Sequence, residues 1–370
     1  MRKRILTVIF AVLLIIGGLT ACKKEDESTS IESGEKKIKI ITTIFPQYDF
    51  IREIAGDKVE VSMLLKPGIE THSYEPSPQD IIRIQESDLF IHVGGENDTW
   101  INEIFEAAGG KAPRKIELLD LVEAVVEEIV EGMEHDHDHE DGHAHEDEHE
   151  HEDEHAHEDE HEHEDEHAHE DEHEYEEDHE HETAHANEED PHEERELDEH
   201  VWTSVKNAII IVEALTNELV TLDAPNKNWY EANSTRYIKE LESLDKAFED
   251  AVAEGVRNTL VFGDRFPFRY MADAYGLEYS AAFPGCATDT EASAATIAFL
   301  IDKVRAENIP AVFTIELSNG KIAEAIAEAT GAEVMKLHSA HNVTKDEAES
   351  GITYLEIMRN NVNILKEALQ

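Results

Sequence analysis

The chain has 370 residues and a formal net charge of −55, from 86 acidic against 31 basic residues. No basic patch is available to neutralise phosphates, which argues against nucleic acid as a partner. With only two cysteines, Cys22 and Cys286, the chain has no disulfide framework, so its fold must rest on a hydrophobic core.

The amino terminus reads as a secretory signal. Arg2, Lys3 and Arg4 precede an apolar run from Ile5 to Leu19 that is shorter than the roughly 20 residues of a membrane-spanning helix. It ends in Leu19-Thr20-Ala21-Cys22, which looks like a bacterial lipobox with Cys22 as the lipidated residue. This predicts an anchor in the cell membrane with the rest of the chain on the extracytoplasmic face. Residues 23–37, rich in Lys, Glu and Ser, read as a flexible tether.

From residue 38 the pattern is that of alternating strands and helices. Lys37 to Thr42 and Val59 to Leu65 read as strands, with a helix over Pro46 to Ala55 between them. Ser77-Pro78-Gln79-Asp80 starts a helix with Ser77 as its cap, and Leu89 to Val93 reads as a buried strand. Such spacing predicts βαβ units and a parallel sheet. A helix is expected over Val201 to Val220, and a longer one from Ala224-Pro225-Asn226 to about Glu254. Trp229, Tyr230, Tyr237, Leu241, Leu244 and Phe248 recur on one side of the longer helix. At 1.5 Å per residue it reaches ~45 Å, enough to link two lobes. Beyond it, strands are expected at Thr259 to Phe262, Tyr279 to Phe283, Ala311 to Glu316 and Glu333 to Leu337. Helices are expected at Arg269 to Tyr275, Glu291 to Glu307, Lys321 to Thr330 and Thr353 to Ala368. The expected architecture is α/β: a first lobe over 38–224, a rigid linker helix over 225–255 and a second lobe over 256–370.

Residues 133–196 interrupt the first lobe. The span 131–199 alone carries −36 of the net charge, and 18 of the 23 histidines lie between His135 and His192. Five tandem His-x-His-Glu-Asp-Glu hexads run from His143 to Glu172. With almost no apolar residues, this insert cannot bury enough surface to offset chain entropy and reads as disordered. Its imidazoles suit Zn²⁺, Cu²⁺ and Ni²⁺. His135, His137, His139, His143, His145, His149, His151, His155, His157, His161, His163, His167, His169 and His173 are the expected auxiliary capture residues, weak and multiple.

Five histidines lie outside the insert: His72, His92, His200, His338 and His341. His92 sits inside an apolar strand and reads as a core histidine. His72 lies in a loop leaving the carboxyl end of a strand, the edge where doubly wound sheets bind ligands. His200 is placed at the start of the helix after the insert. Cys286, between small apolar residues, reads as a buried inert thiol, since no second cysteine completes a thiolate pair.

Here the sequence resembles a known family. Pro67-Gly68-Ile69-Glu70-Thr71-His72-Ser73-Tyr74-Glu75-Pro76-Ser77-Pro78 is similar to the histidine loop of the zinc and manganese solute-binding proteins of ABC importers. Asp198-Glu199-His200-Val201-Trp202 is similar to that family's second histidine motif, which follows a histidine-rich insert in zinc-binding members. The resemblance implies a metal site in the cleft between the lobes, with His72, His200 and His338 as ligands. It places Asp264 at the family's third position, in Val261 to Tyr270 with one extra residue after it. Glu316, Glu70 and His341 are the reserve donors. Three histidines and one oxygen favour zinc as cargo, with manganese the alternative. The implied partners are an ABC permease and its ATPase. An enzyme is not expected: outside the insert there is no His-Glu-x-x-His motif, and Glu70 beside His72 is the sole tempting base. An adhesin or metal-sequestering lipoprotein without a transporter is the other reading open to the sequence.

Overall fold

The computed structural model describes residues 37–69, 74–108, 112–133, 196–287 and 292–370. The signal with Cys22, the tether, Glu70, His72 and the insert histidines lie outside the described residues.

In the first lobe, β1 (Ile38–Thr42), β2 (Val59–Met63), β3 (Leu89–His92) and β4 (Arg114–Glu117) form a parallel sheet in the order β2-β1-β3-β4. Every residue of β3 is buried, which is why this strand reads as an unbroken apolar run rather than an alternation. Helix α1 (Phe45–Ala55) carries Pro46 in its first turn, where a missing N–H costs nothing, and buries Phe45, Phe50, Ile51 and Ile54. Helix α2 (Pro78–Gln85) starts at Ser77 in a capping box: Ser77 Oγ accepts from Asp80 N, and Asp80 Oδ2 accepts from Ser77 N. Helix α3 (Trp100–Ala108) lies between β3 and β4 in the chain.

After the insert, a single 3₁₀ turn over Val201–Thr203 precedes α4 (Val205–Leu222). The helix therefore starts later than its apolar pattern suggests. Ser204 is the reason: it takes extended backbone and its side chain accepts from Asn207 N. Helix α5 (Lys227–Glu254) follows a turn at Ala224–Asn226.

The second lobe contains β5 (Thr259–Phe266), α6 (Arg269–Tyr275), β6 (Glu278–Pro284) and α7 (Ala294–Glu307). It continues through β7 (Ala311–Thr314), α8 (Lys321–Thr330), β8 (Glu333–Lys336), α9 (Lys345–Ser350) and α10 (Tyr354–Ala368). Its strands are parallel in the order β6-β5-β7-β8.

Helix α5 packs against α1 and α4 of the first lobe and against α6 and α10 of the second. Tyr230, Tyr237, Leu241, Leu244, Phe248 and Ala251 form its buried face. Burying a Leu or Phe fully stabilises by about 1.5–3 kcal/mol, so this face ties the helix to both lobes. Trp229 departs from the expected stripe: it is 45% exposed, and its indole N–H donates to Ala55 O at 3.0 Å. Phe50, Tyr237 and Tyr354 bring rings from α1, α5 and α10 together, with Phe50 and Tyr354 edge-on at 4.9 Å. The largest apolar cluster draws residues from both lobes. The described residues of 37–133 and 196–370 accordingly belong to one compact unit. No helix among the described residues is long and apolar enough to cross a membrane.

Candidate metal site

His200 is placed by the segment that leads into α4. Leu197 forms an antiparallel bridge with Val126, Asp198 N donates to Val125 O at 2.9 Å, and Tyr270 Oη of the second lobe donates to Asp198 O at 2.8 Å. Asp198 Oδ1 then accepts from His200 N at 2.8 Å and contacts His200 Nδ1 at 3.1 Å. An ionised carboxylate only accepts, so Nδ1 carries the proton and the ring's lone pair lies on Nε2. That is the tautomer of metal-binding histidines backed by a carboxylate. Burial of His200 favours its neutral form, but Asp198, Glu199 and Glu127 outweigh this and hold its pKa above the ordinary value. Burial raises neighbouring Glu199 to about 7, even though Asn97 donates two hydrogen bonds to it.

The opposite wall comes from the carboxyl ends of β7 and β8. His341 sits there with its ring centroid 5.1 Å from that of His200, at 89°. Trp202 packs against both rings, at 5.5 Å from His200 and 4.8 Å from His341. Its indole N–H donates to Ser339 O at 2.8 Å, so the lobes are joined beside the two imidazoles. His200, Arg265, Gly285, Glu316, Ser339 and His341 line a cleft.

His338, the histidine expected as ligand, is not the one brought to His200. Its Nδ1 accepts from Ala340 N at 2.9 Å and lies 3.6 Å from Glu316 Oε2, while its Nε2 lies 3.7 Å from Glu347 Oε1. A neutral imidazole has one lone pair, and here an amide takes it. Burial opposes protonation of His338, yet Glu316 and Glu347 raise its pKa.

Asp264 is likewise turned away from the cleft lining. Its Oδ1 accepts from Arg265 N at 3.0 Å, and its Oδ2 accepts from Thr314 Oγ1 at 2.7 Å. The pairing of β5 with β6 shifts register between Phe262 and Arg265. This bulge accounts for the extra residue after Asp264 and directs Arg265, rather than Asp264, to the cleft. Gly263 lets α8 pack closely on this strand, because a Cβ there would lie 2.4 Å from the backbone of Ala323.

His72 and Glu70 lie outside the described residues, but both flanks of their loop are fixed near His341. Asn342 Nδ2 donates to Lys66 O and Ile69 O, each at 2.9 Å, and Tyr74 lines a recess together with His341 and Glu199. Among the described residues, no three His, Cys, Asp or Glu side chains are placed to hold a metal ion.

His92 takes its expected core position. It is buried, with Nδ1 3.2 Å from Asp98 Oδ2 and Nε2 3.7 Å from Glu117 Oε2. Cys286 is half-buried, and burial pushes its thiol well above its ordinary pKa. Sequence reasoning missed Arg265, Trp202 and Asn342 as parts of the site. Only Trp202 carried a signal, through its place in the motif with His200.

Residues 40–368 match the family described as zinc-uptake complex component A, periplasmic (ZnuA). The high-affinity zinc uptake system protein ZnuA of Bacillus subtilis is 28% identical over 365 residues, covering 98% of this chain and 97% of that protein. The zinc-binding lipoprotein AdcA of Streptococcus pneumoniae is 26% identical over 94% of this chain, which spans 58% of AdcA's length. Among solved structures, the metal-dependent lipoprotein YcdH of Bacillus subtilis matches with a TM-score of 0.65 at 24% identity, covering 90% of this chain and all of that one. The Zn(II)-bound ZnuA-like domain of Streptococcus pneumoniae AdcA matches with a TM-score of 0.63 at 24% identity, covering 90% of this chain and 99% of that domain. At that level of identity the two structures speak for a shared fold.

Proposed function

We propose that this chain, which belongs to the zinc-uptake complex component A family, captures zinc outside the cytoplasm and passes it to an ABC permease driven by its ATPase. Zinc is the cargo of the cleft. Its ligands are His200, His341 and His72, with Glu70 as the nearby oxygen donor. The observation that carries the assignment is the meeting of His200 and His341 across the lobes, rings 5.1 Å apart, with Asp198 fixing the His200 tautomer. The pinning of Ile69 by Asn342 supports His72, because the histidine loop then leaves the sheet beside His341. Three imidazoles with one oxygen suit tetrahedral zinc, whereas manganese prefers more oxygen. Lipidation at Cys22 holds the chain at the membrane, and the histidine-rich insert concentrates metal nearby. Donors from both lobes let zinc fix the relative placement of the lobes, giving the permease a loaded form to recognise.

The test is growth under zinc limitation. Deleting the gene in its own host should impose a zinc requirement, relieved by the intact chain and not by His200→Ala at equal abundance. Growth restored equally by His200→Ala would refute the assignment of the cleft as the transport site.

A further inference from the structure

We propose that Glu316 is a positioning residue for zinc, shaping the loop that presents His341 without binding the metal. The inference rests on the ligand reading above. Glu316 is 6% exposed and follows β7. Its Oε2 accepts from Ser339 N at 2.7 Å, and its Oε1 accepts from Ser339 Oγ and, at 3.2 Å, from His341 N. Ala340 N, between these amides, donates to His338 Nδ1. Three consecutive amides of the loop thus turn toward side-chain acceptors, the outer two gathered by the Glu316 carboxylate.

The backbone shows why an anchor is needed. Ala340 has φ 61° and Leu317, beside Glu316, also has φ 61°, a left-handed region that costs an L-residue about 1–2 kcal/mol. Such turns persist only where the surroundings over-determine them. The bonds to Glu316 do so here, and they leave its oxygens committed to the loop. The same loop accepts the Trp202 indole at Ser339 O and meets Phe45 N through His341 O at 3.3 Å. A shift of the loop therefore moves His341 relative to His200.

The experiment uses the full chain, zinc in a chelator-buffered competition titration, and the visible spectrum of the first equivalent of cobalt(II). In Glu316→Gln, one acceptor oxygen becomes an amino group facing amide donors. Zinc affinity should fall about 10- to 100-fold, as for other outer-shell partners of metal ligands, while the cobalt spectrum keeps its four-coordinate intensity. Ser339→Ala should weaken binding by less. Adding it to Glu316→Gln should cost little more, because hydroxyl and carboxylate act as one unit. A cobalt spectrum showing a lost ligand in Glu316→Gln would make Glu316 a ligand and overturn the inference. Unchanged affinity, or fully additive losses in the double variant, would also overturn it. Should Glu316→Gln fail to fold by circular dichroism, Ser339→Ala decides alone: wild-type affinity there refutes the inference. If His200→Ala and His341→Ala also bind zinc normally, the ligand reading has failed instead.

Discussion

Replacing His341 and His338 separately by alanine tests the centre of this account. Binding of zinc to structural sites releases roughly 10–16 kcal/mol, so one of four donors carries ~2.5–4 kcal/mol. At 1.4 kcal/mol per decade, His341→Ala should weaken zinc binding about 60- to 700-fold. His338→Ala removes a different set of contacts: its Nδ1 bond from Ala340 N and its approach to Glu347. Leaving a buried amide without its acceptor costs about 1–3 kcal/mol, which appears as lost stability and only through loop displacement as lost affinity. His338→Ala should therefore lower the melting temperature while weakening zinc binding by less than about 10-fold, less than the range for outer-shell losses. Competition against a chromophoric chelator at constant free zinc measures both affinities. Equal losses in the two variants, or a larger loss in His338→Ala, would refute the assignment of His341.

A chain lacking residues 133–196 should keep one tight zinc site, since His200 and His341 meet outside that span; loss of tight binding on titration would place the site in the insert. The affinity of that site should fall with decreasing pH. Zinc must displace a proton from His200, whose pKa the surrounding carboxylates raise, so the decline begins above the ordinary histidine value of about 6.5. A flat affinity in titrations from about pH 5 to 7.5 would contradict histidine ligation. Asp49, buried between α1 and the start of α10, is raised to about 7 by desolvation, against the opposing pull of Tyr354 N and Arg52. Because this folded value lies above the unfolded 3.8, its contribution to stability is full below the unfolded value and is lost as pH rises through about 7. Thermal melts of Asp49→Asn should show less fall in stability than wild type between pH ~4 and ~7, and parallel slopes there would exclude Asp49 as the source.

Much of the fold was legible because parallel α/β lobes write themselves in short apolar runs. Leu89 to Val93 and Ala311 to Thr314 are buried on both sides, and nothing but a strand between helices explains runs so short. The stripe on α5 predicted its link to both lobes, as its buried face shows. What escaped was decided by single side chains or by tertiary contact. Arg114–Glu117 carries too few apolar residues to read as a strand, yet it pairs with β3 as an edge. The start of α4 depends on Ser204 capping, which periodicity does not register. Trp229 lies in step with its neighbours but finds its partner in the Ala55 carbonyl instead of the core.

At the site, residue type and order were legible but direction was not. His200 and the loop of His72 stood out through their motifs. His338 and His341 lie three residues apart after the last strand, and both are imidazoles at the same sheet edge. Adjacency to the strand favours His338, but the turn reverses that preference. With Ala340 in the left-handed region and Glu316 gathering the amides of Ser339 and His341, the chain rotates so that His341 faces His200 and His338 closes the loop from behind. A bulge does the same one strand away, where the register shift between Phe262 and Arg265 sends Asp264 to Thr314 and Arg265 to the cleft. In both places a backbone irregularity of one or two residues chooses which neighbour faces the cleft. Such a choice is set by contacts distant in sequence: Thr314 for the bulge, and Glu316 and Trp202 for the loop.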